Sequence, residues 1–407
     1  MIRQSHLIVI VGGFLIAVVV IGCGSGPGNI DERGGERSAA ATNEETTAPK
    51  GDRPKAQTAQ KPVGFDAEVV SPLGQANVPA GFGEGSLWAT DFDPSAGCDD
   101  VKGVGEAACG GEPPKTLLKR VDPRTGEVVA AIPFSLMPAG IMQVAVGAGS
   151  VWVSNGYSSR GPTPRWPSDV VLRIDPRTKR VVDRIPVDPP TGLAFGHGSV
   201  WVTSASYGTL SRIDPKSGEV VAKIDVDRGA GDIAADESSG AVWVAGLTLN
   251  YDKPENNKLS RVDPATNRVV AEIPIRAGVR YVGGADKVAV GEGAVWVLSS
   301  DARLLKVDPT TNEVAGMVSV GDSSSHLAVY GGGVWAMVQA SAPRKPPKPG
   351  RSKMISAFRL VRVDPRTMHV VASEYLRPFY SIAPGGLAAG GGYVWFSSGG
   401  GLARVSP

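Results

Sequence analysis

The chain has 407 residues, 42% hydrophobic and 20% charged, which supplies enough apolar material for one large globular domain and excludes an intrinsically disordered protein. Its 42 Lys and Arg stand against 40 Asp and Glu, so no chain-wide field selects nucleic acid as a partner, and any charge-driven binding has to be local.

The first element is an N-terminal signal: Arg3, an apolar run from Leu7 to Ile21, then Gly22-Cys23. The run is shorter than the roughly 20 residues that span a bilayer, which weighs against the alternative of an uncleaved membrane anchor. Val20-Ile21-Gly22-Cys23 resembles the lipobox of bacterial lipoproteins. That resemblance implies that 1–23 is a lipoprotein signal peptide, that Cys23 is lipidated, and that the mature chain is extracytoplasmic and tethered to the cell membrane. Residues 24–62 are Gly, Ala, Thr, Glu, Lys and Pro with almost no large apolar side chain, which predicts a disordered tether. The folded part is expected at 63–407.

Within it, Trp88, Trp152, Trp201, Trp243, Trp296, Trp335 and Trp395 each follow Val or Leu. Each is followed downstream by a basic residue, Val or Ile, Asp or Ser, and Pro, as in Arg120-Val121-Asp122-Pro123 and Arg404-Val405-Ser406-Pro407. Spacings of 39 to 64 residues between successive Trp bracket a four-stranded propeller blade with variable loops. The fold expected is therefore all-β: a seven-bladed β-propeller of four-stranded blades. In repeat 2 the strands read Gln143-Val144-Ala145-Val146, Val151-Trp152-Val153, a third ending at Asp175-Pro176, and Arg180 to Pro186. Gly147-Ala148-Gly149, Gly196-His197-Gly198 and Gly291-Glu292-Gly293 supply tight hairpins, and Asp175-Pro176-Arg177-Thr178 a turn with Asp at its first and Pro at its second position. The seventh repeat ends at Pro407 one strand short. Glu68-Val69-Val70 matches the fourth strands Glu127-Val128-Val129 and Glu219-Val220-Val221, so an N-terminal strand is expected to close the last blade and remove the open edges.

Cys98 and Cys109 are close in sequence within an exported chain and are expected to form a structural disulfide; neither a short Cys-x-x-Cys spacing nor a nearby His supports a redox or metal pair. The repeat pattern of Gly-x-Gly, Val-Trp-Val, Arg-Ile-Asp-Pro and Val-Val-x-x-Ile-Pro-Val resembles the YVTN/YncE-type repeat propellers and the streptogramin (virginiamycin B) lyase-like superfamily, over residues 65–407. The lyases of that superfamily place a catalytic His two residues from a metal-binding Glu and use Mg²⁺; no Glu-x-His occurs in this chain.

Chemistry is expected where the inner strands begin, on the face that also receives the loops between second and third strands. Those loops are long in repeats 1, 2, 4 and 6 and short in 3, 5 and 7. Aligning the inner strands places Pro79, Gln143, Gly192, Asp232, Lys287, His326 and Gly386 at the channel mouth. Gln143, Asp232, Lys287 and His326 are the candidates to hold a small polar ligand, with His326 as a general base and Lys287 facing an anion if the site is catalytic; the alternative is a solvated channel in which these groups satisfy one another. The repeated Trp belong to the packing between blades. Trp166, beside Arg165 in the repeat 2 insertion, could stack on a sugar or a partner side chain. Arg344, Lys345 and Lys348 lie in a Pro-rich basic arm in repeat 6, a candidate for anionic wall polymer or lipid headgroups. Asp91, Asp93, Asp99 and Asp100 could hold Ca²⁺ but lack a recognisable ligand register. No metal and no cofactor is predicted, Ca²⁺ or Mg²⁺ being the alternatives. His197 in its turn and His369 on an outer strand read as exposed bystanders.

The function expected is a membrane-tethered, extracytoplasmic, monomeric binding module for an unknown small molecule, wall polymer or envelope protein, with no nucleic acid. The alternative is a lyase or hydrolase at the channel mouth through His326, Lys287 and Asp232.

Overall fold

The computed structural model describes residues 7–11, 14–18, 64–72, 78–92, 116–134, 143–154, 169–246, 257–275, 285–341, 356–376, 386–398 and 401–407. The chain divides into two compact units, Met1–Gln60 and Lys61–Pro407. In the first, strands Leu7–Val11 and Phe14–Val18 pair antiparallel. No helix among the described residues is long and apolar enough to cross a membrane. Cys23, the 24–62 segment, Cys98, Cys109, Trp166, Arg344, Lys345, Lys348 and the acidic Asp93, Asp99 and Asp100 lie outside the described residues, and nothing is described of the Asp91 side chain.

The second unit is a ring of seven four-stranded antiparallel sheets. Its blades begin with the inner strands Val78–Gly83, Gln143–Gly147, Gly192–Gly196, Ala230–Asp236, Ala285–Gly291, Ser323–Tyr330 and Leu387–Gly390. Each inner strand packs against the next, and the seventh returns to the first. The closing strand is Glu68–Pro72, hydrogen-bonded to Gly401–Val405, as the repeat count predicted. Arg404 holds the seam: its guanidinium meets Glu68 Oε2 at 2.9 Å and donates to the Pro123 carbonyl at 2.8 Å in the first blade.

The repeated Trp and the repeated basic residue are one device. Trp88 pairs across strands with Arg120, Trp152 with Arg173, Trp243 with Arg261 and Trp296 with Lys306. In each case the cation lies over the indole, at 5.0 Å for Arg212 on Trp201 and 5.7 Å for Arg120 on Trp88. The Trp side chains are fully buried, and the indole N–H of six of them donates to the last carbonyl of the inner strand, for example Trp296 to Gly291 at 3.0 Å. The same cations then cross to the next blade: Arg212 to the Pro264 carbonyl at 2.6 Å, Arg261 to Pro309 at 2.7 Å, Lys306 to Pro365 at 2.9 Å. Satisfying the indole while burying its area makes these residues the mortar between blades rather than a binding surface.

Turn chemistry follows the same repetition. The Asp of each Asp-Pro turn accepts from the backbone N–H two residues on, at 2.8 Å for Asp175 and 2.7 Å for Asp308. In the inner hairpins the first central residue also has positive φ: Ala148 at 52°, His197 at 50° and Glu292 at 52°, each followed by a Gly. The preceding Gly147 serves packing, since a Cβ there would come within 2.1 Å of the Phe195 ring in the next blade. His197 is not an exposed bystander. Its side chain is 13% exposed, with Nδ1 3.2 Å from Glu237 and Nε2 3.2 Å from the Ala241 carbonyl, so it ties blade 3 to blade 4.

Candidate functional site

The start of each inner strand pairs with the end of the second strand, which places the channel mouth beside the inserted loops. Gln143 lies opposite Ser154, Gly192 opposite Thr203, Asp232 opposite Ala245, Lys287 opposite Leu298 and His326 opposite Met337. Measured from the Trp of each second strand these positions are equivalent, as the alignment of repeats predicted. Blade 1 differs: Val78 holds the equivalent place opposite Thr90, and Pro79 lies one step further in, because the strand bulges between Pro79 and Gly81. Gly386 precedes its strand, which starts at Leu387.

Blades 4, 5 and 6 also carry a bulge here, leaving Gly231, Asp286 and Ser325 without a cross-strand partner. The bulge changes the chemistry. On a regular strand, neighbouring side chains point to opposite faces; an inserted residue re-aims its side chain. Asp286 Oδ1 therefore lies 3.7 Å from Nζ of its own neighbour Lys287, and Ser325 Oγ lies 2.8 Å from Nδ1 of its neighbour His326. Ser324 donates its hydroxyl to Asp286 Oδ2 across the gap between blades 6 and 5, and its N–H to the Ser300 carbonyl at 3.2 Å. Asp232 Oδ2 reaches from blade 4 to accept the Val288 N–H at 2.9 Å. Three of the four predicted residues, Asp232, Lys287 and His326, thus come together on consecutive blades. Gln143 occupies its place two blades away, with no hydrogen bond to them among the described residues. Asp286 and Ser325 were not foreseen, because period-two reasoning assigns the immediate neighbours of a channel-facing residue to the sheet interior, and Ser324 was not, because the repeat alignment took one mouth position per blade.

The groups are recessed yet reachable: the side chains of Lys287 and Asp286 keep 29% and 25% of their surface. Burial raises the pKa of Asp232 above the usual carboxylate value, against the pull of Lys287 and the Val288 N–H. Burial also works against the Lys287 ammonium, but Asp286 and Asp232 outweigh it and hold its pKa above that of an ordinary lysine. Burial, with Lys287 adding to it, depresses His326 to about 3. Asp286 and Lys287 form an ion pair, His326 is a neutral imidazole, and Ser325 and Ser324 are hydroxyls. Among the described residues no group of three or more His, Cys, Asp or Glu is arranged to hold a metal ion.

A closed ring of seven blades with an ionisable arc at one end of its channel defines the chain as a β-propeller with a polar axial mouth. No protein-family profile and no curated protein sequence matches it. Among solved structures 1562 chains match, too many for resemblance of fold to select an activity. One is the hydrazine synthase of Kuenenia stuttgartiensis, with 16% identity over 67% of this chain and 77% of that chain and a TM-score of 0.51, a likeness of fold alone.

Proposed function

We propose that this chain is a binding propeller, held outside the cell membrane by a lipid on Cys23 and a 24–62 tether, that takes a small polar ligand at its channel mouth. The observation that carries the reading is the convergence of Asp232, Asp286, Lys287 and His326 from three adjacent blades, Asp286 being brought beside Lys287 and Ser324 from the bulge of blade 5. The N-terminal signal and lipobox support the location, and the four long insertions, ending in Trp166 and in the Arg344, Lys345 and Lys348 arm, would widen the contact surface for wall polymer or an envelope protein. The Val-Trp-Val and Arg-Ile-Asp-Pro signature supports kinship with the YVTN/YncE-type and streptogramin lyase-like propellers.

Catalysis is the weaker reading. The Ser325–His326 contact resembles a nucleophile beside its base, but a catalytic base needs a pKa near the working pH, and His326 is depressed to about 3. A serine-hydrolase triad sets a carboxylate on the imidazole to stabilise the imidazolium, whereas here burial and Lys287 oppose that charge more strongly than Asp286 favours it. Lys287, held protonated, is no nucleophile for a Schiff base.

The test is thermal denaturation of the Lys61–Pro407 unit, whose ring is closed by its own N-terminal strand, against sugars, amino acids, wall fragments, anionic polymers and divalent cations. A ligand-dependent rise in Tm that Lys287→Met and His326→Ala both lose is the expected result. A rise that neither variant changes would remove the channel mouth as the site.

A further inference from the structure

The ion pair at the channel mouth stands open. Lys287 Nζ lies 3.7 Å from Asp286 Oδ1, beyond the length of a charge-assisted hydrogen bond, and the ammonium makes no hydrogen bond among the described residues. Elsewhere in the ring, recessed cations close on their carboxylates. Lys258, with a side chain 18% exposed, reaches Glu272 at 2.6 Å, and Arg404, 9% exposed, reaches Glu68 at 2.9 Å. Arg177 stands 3.9 Å from Asp175, but its side chain is 91% exposed and water supplies the partners. Lys287 has neither a closed carboxylate nor full access to water.

The bulge of blade 5 is the cause. Asp286 and Lys287 are consecutive residues, so their side chains leave the strand side by side instead of meeting end to end. The surrounding contacts fix the pair without filling it: Ser324 donates its hydroxyl to Asp286 Oδ2, and the Ser325 hydroxyl lies on His326 Nδ1. Three N–H donors on Lys287, together with Asp286 Oδ1 and His326 Nε2, are left without a hydrogen bond among the described residues. These atoms are within reach of one small molecule. Asp232 bonds Val288, the residue after Lys287, and both Asp286 and Lys287 act on the charge of His326.

We infer that the mouth binds an α-amino acid as its zwitterion, with the ligand carboxylate on Lys287 and the ligand ammonium on Asp286, between Asp232 and His326. The inference rests on the reading of the channel mouth as a ligand site and names its ligand class. Two bonds of ordinary length set the nitrogen and carboxylate oxygens of an α-amino acid about 3 Å apart, close to the spacing of the open pair. Laid against that pair with signs opposed, each ligand charge gains a charge-assisted bond and the net charge of the site does not change. Ligands with one charge do worse, since an anion on Lys287 also faces Asp286 and a cation on Asp286 also faces Lys287. A neutral polyol would desolvate both charges for weaker bonds.

The test begins with a thermal screen of the Lys61–Pro407 unit against the twenty common L-amino acids. The amino acid giving the largest rise in Tm is then titrated by calorimetry beside the same molecule without its amine and the same molecule without its carboxylate, propionate and ethylamine in the case of alanine. The intact amino acid is expected to bind at least tenfold more tightly than either. In Lys287→Met the advantage over the amine should shrink to within about twofold, and in Asp286→Asn the advantage over the acid should shrink likewise, because each variant removes the partner of the group that the probe lacks. Circular dichroism checks the fold of both variants. No binding by any of the twenty, or equal affinity of the unaltered protein for a one-charge probe, overturns the assignment without recourse to a variant; an advantage that persists in both variants overturns the placement of the charges. If the amino acids fail while a sugar or an anionic polymer raises Tm and Lys287→Met loses that rise, the channel mouth stands as a site and only the ligand class falls.

Discussion

Each blade is held by a short list of side chains whose cost of removal can be stated. Trp296 is fully buried, bonds the Gly291 carbonyl and lies under Lys306, so Trp296→Ala should destabilise the propeller by about 3–5 kcal/mol, read from urea denaturation. Arg404 is stacked on Tyr393 at 4.2 Å and bonded to Glu68 and Pro123, hence Arg404→Ala should lower Tm more than Arg177→Ala, whose side chain is 91% exposed. Titration adds two signed effects. Backbone N–H bonds lower the pKa of Asp122, Asp175, Asp263, Asp308 and Asp364, so their contribution is present above the unfolded value near 3.8 and disappears as pH falls through the folded values. His326 is depressed from 6.5 to about 3, so unfolding takes up a proton between those values. Stability should fall as pH drops below about 6.5, and His326→Gln should flatten that slope in a series of melts at pH 4 to 7.

The strand is the scale at which the sequence is easiest to read and at which it also misleads. Arg180–Pro186 falls where the repeat alignment puts a fourth strand, because its repeat states its turns twice, once in Gly147-Ala148-Gly149 and once in Asp175-Pro176. The strand Glu68–Pro72 was legible for the same reason, although its partner lies more than 300 residues away. Removing 64–72 should leave Gly401–Val405 as an open edge and expose the seam, with loss of cooperative unfolding and self-association seen by size-exclusion chromatography. The bulges were not legible. Nothing in Ala285-Asp286-Lys287 announces that Asp286 has no cross-strand partner, since the bulge is a property of the pairing, not of the segment.

The molecule as a whole joins a rigid ring to a mouth where charge is concentrated. The ring is redundant, seven copies of one interface, and so tolerates the ionisable arc on blades 4 to 6. Ligand binding at that mouth should raise Tm with ligand concentration, and Lys287→Met should abolish the rise while leaving the propeller folded. What the sequence determined by itself is the architecture: seven Trp, seven basic partners and one displaced strand are local signals repeated until only one closed arrangement satisfies them. What only the tertiary structure decided is which polar groups meet. Asp232, the Asp286-Lys287 pair and His326 are separated along the chain and share a site because the ring brings three inner strands side by side, and because bulges turn Asp286 and Ser325 towards their neighbours, a geometry that no periodicity within a single strand encodes.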